Sequence, residues 1–133
     1  MSRHLALVTL LLLAGCGGPT DVAAQEPPTA AAETPAGPAT RIVFIGQEEA
    51  CACTTKRIAE VTTALTAALG GRELAIEQLY IDHASDREAV EMHRELRAFM
   101  VAPALFFFDA KDQLVGMTQG EVSEVELETI LAR

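Results

Sequence analysis

A proline followed by an unbroken apolar run, Pro103 and then residues 104–108, constrains the fold more than any other stretch of this sequence. A continuous apolar run of this length is typical of a central strand that is covered on both faces. Proline lacks the N–H group that a strand interior needs, so Pro103 should stand at the start of the strand. The run therefore predicts a sheet packed between helices, which is an α/β architecture.

The apolar patterning from residue 41 onward predicts seven elements in the order βαβαββα. The opening strand, helix and strand suggest a parallel crossover. A turn at residues 109–113 should join the last two strands as a hairpin, so we expect a mixed four-stranded sheet with flanking helices. The predicted strands are residues 41–46, 73–82, 104–108 and 114–118, and the predicted helices begin at Thr54, Ser85 and Ser123.

Local signals predict the ends of the helices. Gly70, the first of a glycine pair, should end the first helix, because glycine readily adopts the left-handed conformation found there. Ser85 with Glu88, and Ser123 with Glu126, have the Ser-x-x-Glu form of a capping box. Each pair should therefore open a helix.

The charge of the chain argues against one class of partner. Residues 41–133 contain sixteen Asp and Glu against nine Lys and Arg, a net charge of −7, and the whole chain carries −9. A surface of this sign repels phosphate backbones and anionic lipid headgroups. Nucleic acid is therefore not an expected partner.

The first of the three cysteines, Cys16, belongs to an export signal. A short positive start, an apolar run at residues 5–13 and small residues before Cys16 form the pattern of a cleaved signal peptide. The run is too short to span a bilayer, which needs about 20 apolar residues. The Leu-Ala-Gly-Cys ending resembles the lipobox of bacterial lipoproteins, which implies cleavage before Cys16 and lipid on its sulfur and amino group. A plain secretory signal with an incidental cysteine is the alternative.

Three segments follow from this pattern. Residues 1–15 are the signal peptide, and residues 16–40, rich in Pro, Ala and Thr, form a disordered tether, because they hold too little apolar surface to fold. Residues 41–133 are one small domain. The lipoprotein resemblance implies a location in the cell envelope, facing the periplasm and attached to a membrane through Cys16. Gly17 after the lipidated cysteine favours the outer membrane, by analogy with lipoprotein sorting.

The remaining cysteines, Cys51 and Cys53, form an even pair in an oxidising compartment. They lie between the first strand and the first helix. Residues two apart do not face each other on a helix, so a disulfide between them requires non-helical backbone. Such a bridge closes almost no loop and would be strained and easily reduced. These properties favour a catalytic or regulatory role over a stabilising one.

The element order, with cysteines after the first strand and a proline opening the third, resembles that of thioredoxin-like proteins from about Arg41 to the end. The best matches are "ELAIEQLYIDHASD" and "VAPALFFFDAKDQLVGMTQG". The resemblance implies a single thioredoxin-like domain in which Ala102 and a cis Pro103 bind substrate beside the cysteines. It also implies a thiol-disulfide oxidoreductase that needs no cofactor and acts on cell-envelope proteins or small-molecule thiols and disulfides. Cys51 matches the attacking thiol of the family, and Cys53 would resolve the mixed disulfide.

The sequence departs from the family pattern at three positions. Ala50 stands where the family has tryptophan, Thr54 occupies the place of the second cysteine, and Val43 stands near the place of a buried acid. The charges near the cysteines are also mixed. A helix N-terminus and two cations, Lys56 and Arg57, favour a thiolate, whereas the acids at positions 48 and 49 oppose it.

Two other functions remain open for the cysteine pair. Adjacent thiolates suit soft ions such as Cu(I), Zn(II) or Hg(II). A closed zinc site needs four ligands, however, and His83 and His93 are expected on the surface, so no metal ligands are assigned. The other alternative is a non-catalytic binding module with a thioredoxin fold, because fold does not determine function.

Overall fold

The computed structural model describes residues 37–133, and the elements have the predicted order βαβαββα. The signal peptide, Cys16 and the predicted tether as far as residue 36 lie outside the described residues. None of the helices between residues 37 and 133 is both long and apolar enough to cross a membrane. The elements are β1 Arg41–Gly46, α1 Ala52–Leu69, β2 Ala75–Tyr80, α2 Arg87–Leu96, β3 Ala104–Phe108, β4 Leu114–Gln119 and α3 Glu124–Leu131.

The four strands form one mixed sheet in the order β2-β1-β3-β4. β1 pairs with β2 in parallel, whereas β3 is antiparallel to both β1 and β4. These pairings confirm the predicted mixed sheet, with a parallel β1-α1-β2 crossover and a β3-β4 hairpin. They also bring the ends of β1, β2 and β4 together with the start of β3. We call this the upper end of the sheet, where Gly46, Tyr80, Ala104 and Gln119 lie.

The core occupies both faces of the sheet, as the continuous apolar runs predict. Successive side chains in a strand point to opposite faces. In β3, Leu105 and Phe107 therefore pack on the face covered by α1 and α3, whereas Phe106 and Phe108 pack on the face covered by α2. All five residues of β3 are buried, which explains why this strand shows no polar alternation.

α1 begins two residues earlier than predicted and ends where predicted. Cys51 is the residue that precedes the helix, with an extended backbone at φ −64° and ψ 158°. Gly70 follows the helix in the left-handed region at φ 54°, and its N–H donates to the Ala67 carbonyl oxygen. This is the conformation that glycine adopts at small cost.

Only one of the two predicted capping boxes places its serine at the cap. The Ser123 Oγ accepts a hydrogen bond from the Glu126 N–H at 3.3 Å at the start of α3. At α2 the prediction is wrong, because Asp86 and not Ser85 precedes the helix. Asp86 accepts a hydrogen bond from Ser85 Oγ at 2.8 Å and another from the Tyr80 N–H at 2.9 Å. These bonds fold residues 84–86 into a turn, so the helix starts later.

His93 was expected on the surface, and this prediction is wrong. Its side chain is buried beneath α2, with the ring edge-on to Phe106 at a centroid distance of 5.1 Å and to Phe108 at 5.9 Å. Its Nδ1 donates to the Ala89 carbonyl oxygen at 2.7 Å. Because α2 packs on the aromatic face of β3, His93 serves as a core residue.

The last residues of the predicted tether lie against the sheet. Ala39 is buried with the core residues of the α1 and α3 face, and the Thr40 N–H donates to the Phe108 carbonyl oxygen at 2.8 Å. Among the described residues, the contacts with the sheet therefore include Ala39 and Thr40, which precede β1.

Candidate functional site

The topology brings the predicted site residues to the upper end of the sheet. β1 ends at Gly46, and a five-residue stretch then leads through Cys51 into α1. Pro103 directly precedes Ala104, which pairs with Ile45 near the end of β1. The cysteine segment and the proline therefore emerge at the same end of adjacent strands.

The Ala102–Pro103 peptide bond is cis, as the thioredoxin resemblance implies. Both residues are buried. The Gly120 N–H donates to the Pro103 carbonyl oxygen at 2.8 Å, and Arg57 Nη1 donates to the Ala102 carbonyl oxygen at 3.3 Å. α1 and the segment after β4 thus both hydrogen-bond to the proline segment.

The two cysteines are free thiols with their sulfurs 2.6 Å apart. The contact is possible because Cys51 has extended backbone while Cys53 lies in the first turn of α1. That a disulfide between the two residues requires non-helical backbone stays a prediction, because both thiols are free. Both side chains are exposed.

The pKa of Cys51 is lowered from its ordinary value to about 6. The largest cause is the hydrogen bond with the Cys53 thiol, followed by one from the Thr54 hydroxyl, at 3.4 Å from the Cys51 sulfur, and one from the Thr54 N–H. Hydrogen bonds to a charged form favour that form. A lowered pKa increases the share of thiolate at neutral pH, which makes Cys51 the stronger candidate nucleophile.

Three of the four charged side chains around the cysteines have other partners. The Lys56 ammonium lies 3.6 Å from the Glu60 carboxylate, and Arg57 contacts the Ala102 carbonyl oxygen. The Glu48 carboxylate is hydrogen-bonded to His83. The Cys51 thiolate is therefore stabilised by hydrogen bonds within its own turn, rather than by the two cations.

Two residues that follow β2 also belong to the site, and sequence reasoning did not assign them to it. β2 was expected to continue to Asp82 but ends at Tyr80. The Asp82 carboxylate accepts hydrogen bonds from the N–H groups of Glu48 and Glu49 at 3.1 and 2.6 Å. The neighbouring His83 holds the Glu48 side chain. The predicted parallel crossover could have indicated that residues after β2 lie beside the cysteine segment after β1, since the carboxyl ends of parallel strands meet at one edge of a sheet.

Two exposed apolar side chains border the proline segment. Met100 is 91% exposed and Val101 is 43% exposed, immediately before Ala102. Their N–H groups both donate to Gln119 Oε1, at 2.7 and 3.3 Å. The backbone of this segment is thereby fixed while its side chains face solvent.

Between residues 37 and 133, no three or more His, Cys, Asp or Glu side chains are grouped so that they could hold a metal ion. The cysteine pair supplies two sulfur ligands, whereas a closed zinc site needs four ligands. The described residues therefore do not form a closed zinc site.

No family model matches this chain, and no curated protein matches it.

Proposed function

We propose that this chain is a thioredoxin-like thiol-disulfide oxidoreductase that acts through Cys51 and Cys53. The observation that carries the proposal is the pair of free, exposed sulfurs 2.6 Å apart, one of which has its pKa lowered to about 6. The strand order β2-β1-β3-β4 and the cis Ala102–Pro103 bond before β3 support the thioredoxin-like assignment.

The first step is attack by the Cys51 thiolate on a substrate disulfide. A bond forms between the Cys51 sulfur and one substrate sulfur, while the substrate S–S bond breaks. The second substrate sulfur leaves as a thiolate and takes a proton from water. The product of this step is a mixed disulfide between Cys51 and the substrate.

The second step is attack by Cys53, after loss of its proton, on the Cys51 sulfur. The Cys51–Cys53 disulfide forms, and the remaining substrate sulfur leaves as a thiolate. Two electrons pass from the protein dithiol to the substrate disulfide. The reverse sequence oxidises a substrate dithiol and returns the two protein thiols to their reduced form.

The pKa of Cys51 favours the reverse, oxidising direction. A stabilised thiolate stabilises the reduced protein and makes Cys51 the better leaving group, which is the property of strongly oxidising thiol proteins. A disulfide across two residues is also a tight ring, which disfavours the oxidised protein further. We therefore propose a role as an oxidant or isomerase, with a reduction potential above about −200 mV.

The proposal is tested by equilibration with glutathione. The full chain carrying Cys16→Ser is reduced, incubated with graded ratios of glutathione to its disulfide, quenched with acid and analysed by mass. We expect conversion to a form lighter by two hydrogens, at a ratio that gives a potential above about −200 mV. A chain that keeps both thiols in excess glutathione disulfide contradicts the proposal. Stoichiometric copper or zinc in the purified protein would instead support the soft-metal alternative.

We further propose that the domain is held in the cell envelope by lipid on Cys16, with cell-envelope proteins or small-molecule thiols and disulfides as substrates. The support is the Leu-Ala-Gly-Cys ending after an apolar run. More than one acyl chain gives a stable anchor, whereas a single chain is marginal.

We expect Cys16→Ser to abolish membrane attachment, because the sulfur that accepts the lipid is missing. The measurement is fractionation followed by mass spectrometry of the intact chain. Wild-type protein should be found in the membrane fraction with lipid on an N-terminal Cys16. A wild-type N-terminus elsewhere, without lipid, would show that the segment is a plain secretory signal.

A further inference from the structure

The segment between β1 and Cys51 is hydrogen-bonded to two side chains that follow β2, Asp82 and His83. It has no helix or strand of its own. Both oxygens of the Asp82 carboxylate are engaged with it, one by the Glu48 N–H at 3.1 Å and the other by the Glu49 N–H at 2.6 Å. Two consecutive N–H groups on one carboxylate fix the backbone orientation of this segment shortly before Cys51.

His83 provides a second attachment through the Glu48 side chain. Its Nε2 is hydrogen-bonded to the Glu48 carboxylate. Its Nδ1 lies 3.8 Å from the Asp86 carboxylate, and its ring lies 4.6 Å from the Tyr80 ring. The charged side chains around His83, namely Glu48, Asp82 and Asp86, are all acidic. This environment favours the protonated imidazole and raises the pKa of His83.

We propose that Asp82 and His83 are positioning residues that set the reactivity of Cys51, Asp82 by fixing the backbone before it and His83 by neutralising the Glu48 carboxylate. The inference rests on the proposed function for its purpose, because it concerns the thiol that attacks substrate. Neither residue contacts the reacting sulfur; each acts through the segment at residues 47–50.

The Asp82 contribution follows from backbone geometry. Cys51 meets both Cys53 and Thr54 because its own backbone is extended and the helix starts immediately after it. Release of the Glu48 and Glu49 N–H groups would let this backbone vary. The hydrogen bonds that lower the pKa of Cys51 would then form only part of the time, and its pKa would rise.

The His83 contribution follows from charge. Glu48 precedes Cys51 by three residues, and a carboxylate whose charge is not neutralised would disfavour the thiolate if it approached the sulfur. The hydrogen bond that His83 donates to the Glu48 carboxylate, together with the nearby acids, raises the pKa of His83 above its ordinary value. A protonated His83 offsets the charge of the Glu48 carboxylate to which it is hydrogen-bonded.

The His83 inference is tested with a double-mutant cycle in the full chain carrying Cys16→Ser and Cys53→Ser, so that Cys51 is the one alkylatable thiol. The rate of iodoacetamide alkylation against pH gives the pKa of Cys51. We expect His83→Gln to raise this pKa by about half a pH unit, the size expected for one nearby charge in water. In a Glu48→Gln background the same substitution should leave it unchanged. Equal shifts in both backgrounds would overturn the role of His83.

The Asp82 inference is tested with Asp82→Asn, whose amide nitrogen cannot accept a hydrogen bond. We expect a rise in the Cys51 pKa of about one pH unit. The control is Asp112→Asn, which removes an equal charge from the exposed hairpin at the opposite end of the sheet and should leave the Cys51 pKa unchanged. No rise with Asp82→Asn, in protein that remains folded by circular dichroism, would overturn the proposal. Alkylation needs no disulfide substrate, so it tests this inference separately from the proposed function. If the protein shows no thiol-disulfide exchange but the variants change the pKa of Cys51 as expected, the proposed function is contradicted and this inference stands.

Discussion

Cys51→Ser should reduce thiol-disulfide exchange to the rate measured without protein. The serine hydroxyl does not ionise near neutral pH, so no nucleophile replaces the thiolate whose pKa is about 6. The measurement is release of a thiol from glutathione disulfide or from a disulfide-bonded peptide, with wild type and variant at equal concentration. Exchange that persists in Cys51→Ser, and is lost in Cys53→Ser, would reverse the roles of the two cysteines.

Cys53 variants should separate attack from release. Cys53→Ser keeps a hydroxyl that can hydrogen-bond to the Cys51 sulfur, so attack should proceed and a mixed disulfide should accumulate. Cys53→Ala also lacks the resolving thiol, but it loses the interaction that contributes most to the lowered pKa of Cys51. We therefore expect Cys53→Ala to form the mixed disulfide more slowly than Cys53→Ser below pH 8. Unchanged turnover in both variants would rule out the redox function.

Phe106→Ala should destabilise the domain by about 3–5 kcal/mol, because it removes a fully buried ring from the centre of β3. The ring has edge-on contacts with His93 and Phe99 at centroid distances of 5.1 and 5.9 Å, so several neighbours lose packing together. A small domain has about 5–15 kcal/mol of stability in total. The loss would therefore leave a marginal fold.

The measurement for Phe106→Ala is the free energy of unfolding in urea. Phe106→Leu fills much of the same space and should cost less than Phe106→Ala, whereas Met100→Ala removes a side chain that is 91% exposed and should change stability by less than about 0.5 kcal/mol. A loss below about 1 kcal/mol for Phe106→Ala would contradict the packing described for this face of the sheet.

The sequence predicted the parts of the fold that depend on local chemistry. Residues 104–108 are a strand buried on both faces, and Gly70 ends α1 because a left-handed backbone favours glycine there. Ser123 caps α3 as predicted. In each case, patterning over a few residues determines the outcome, and no distant partner competes with it.

The sequence did not predict features that depend on contacts between distant segments. Ser85 and Ser123 have the same local motif. At Ser85, however, the Tyr80 N–H at the end of β2 donates a hydrogen bond to the Asp86 carboxylate, and α2 starts later. His93 is polar and lies on a helix, but its position faces an aromatic core. Asp82 was predicted as the last residue of a strand. Its proposed role depends on hydrogen bonds from the N–H groups of Glu49 and Glu48, which lie 33 and 34 residues earlier in the chain. Such pairings become visible only when the strand order is known.

The two-residue spacing of the cysteines has a consequence for the duration of any covalent encounter. Once a partner is joined to Cys51, the thiol that ends the complex belongs to the same turn of chain and needs no diffusion to reach it. Its effective concentration far exceeds that of free thiols in solution. In the proposed reaction, the lifetime of the complex is therefore set mainly by an internal step, namely formation of the tight Cys51–Cys53 ring, rather than by the concentration of surrounding thiols.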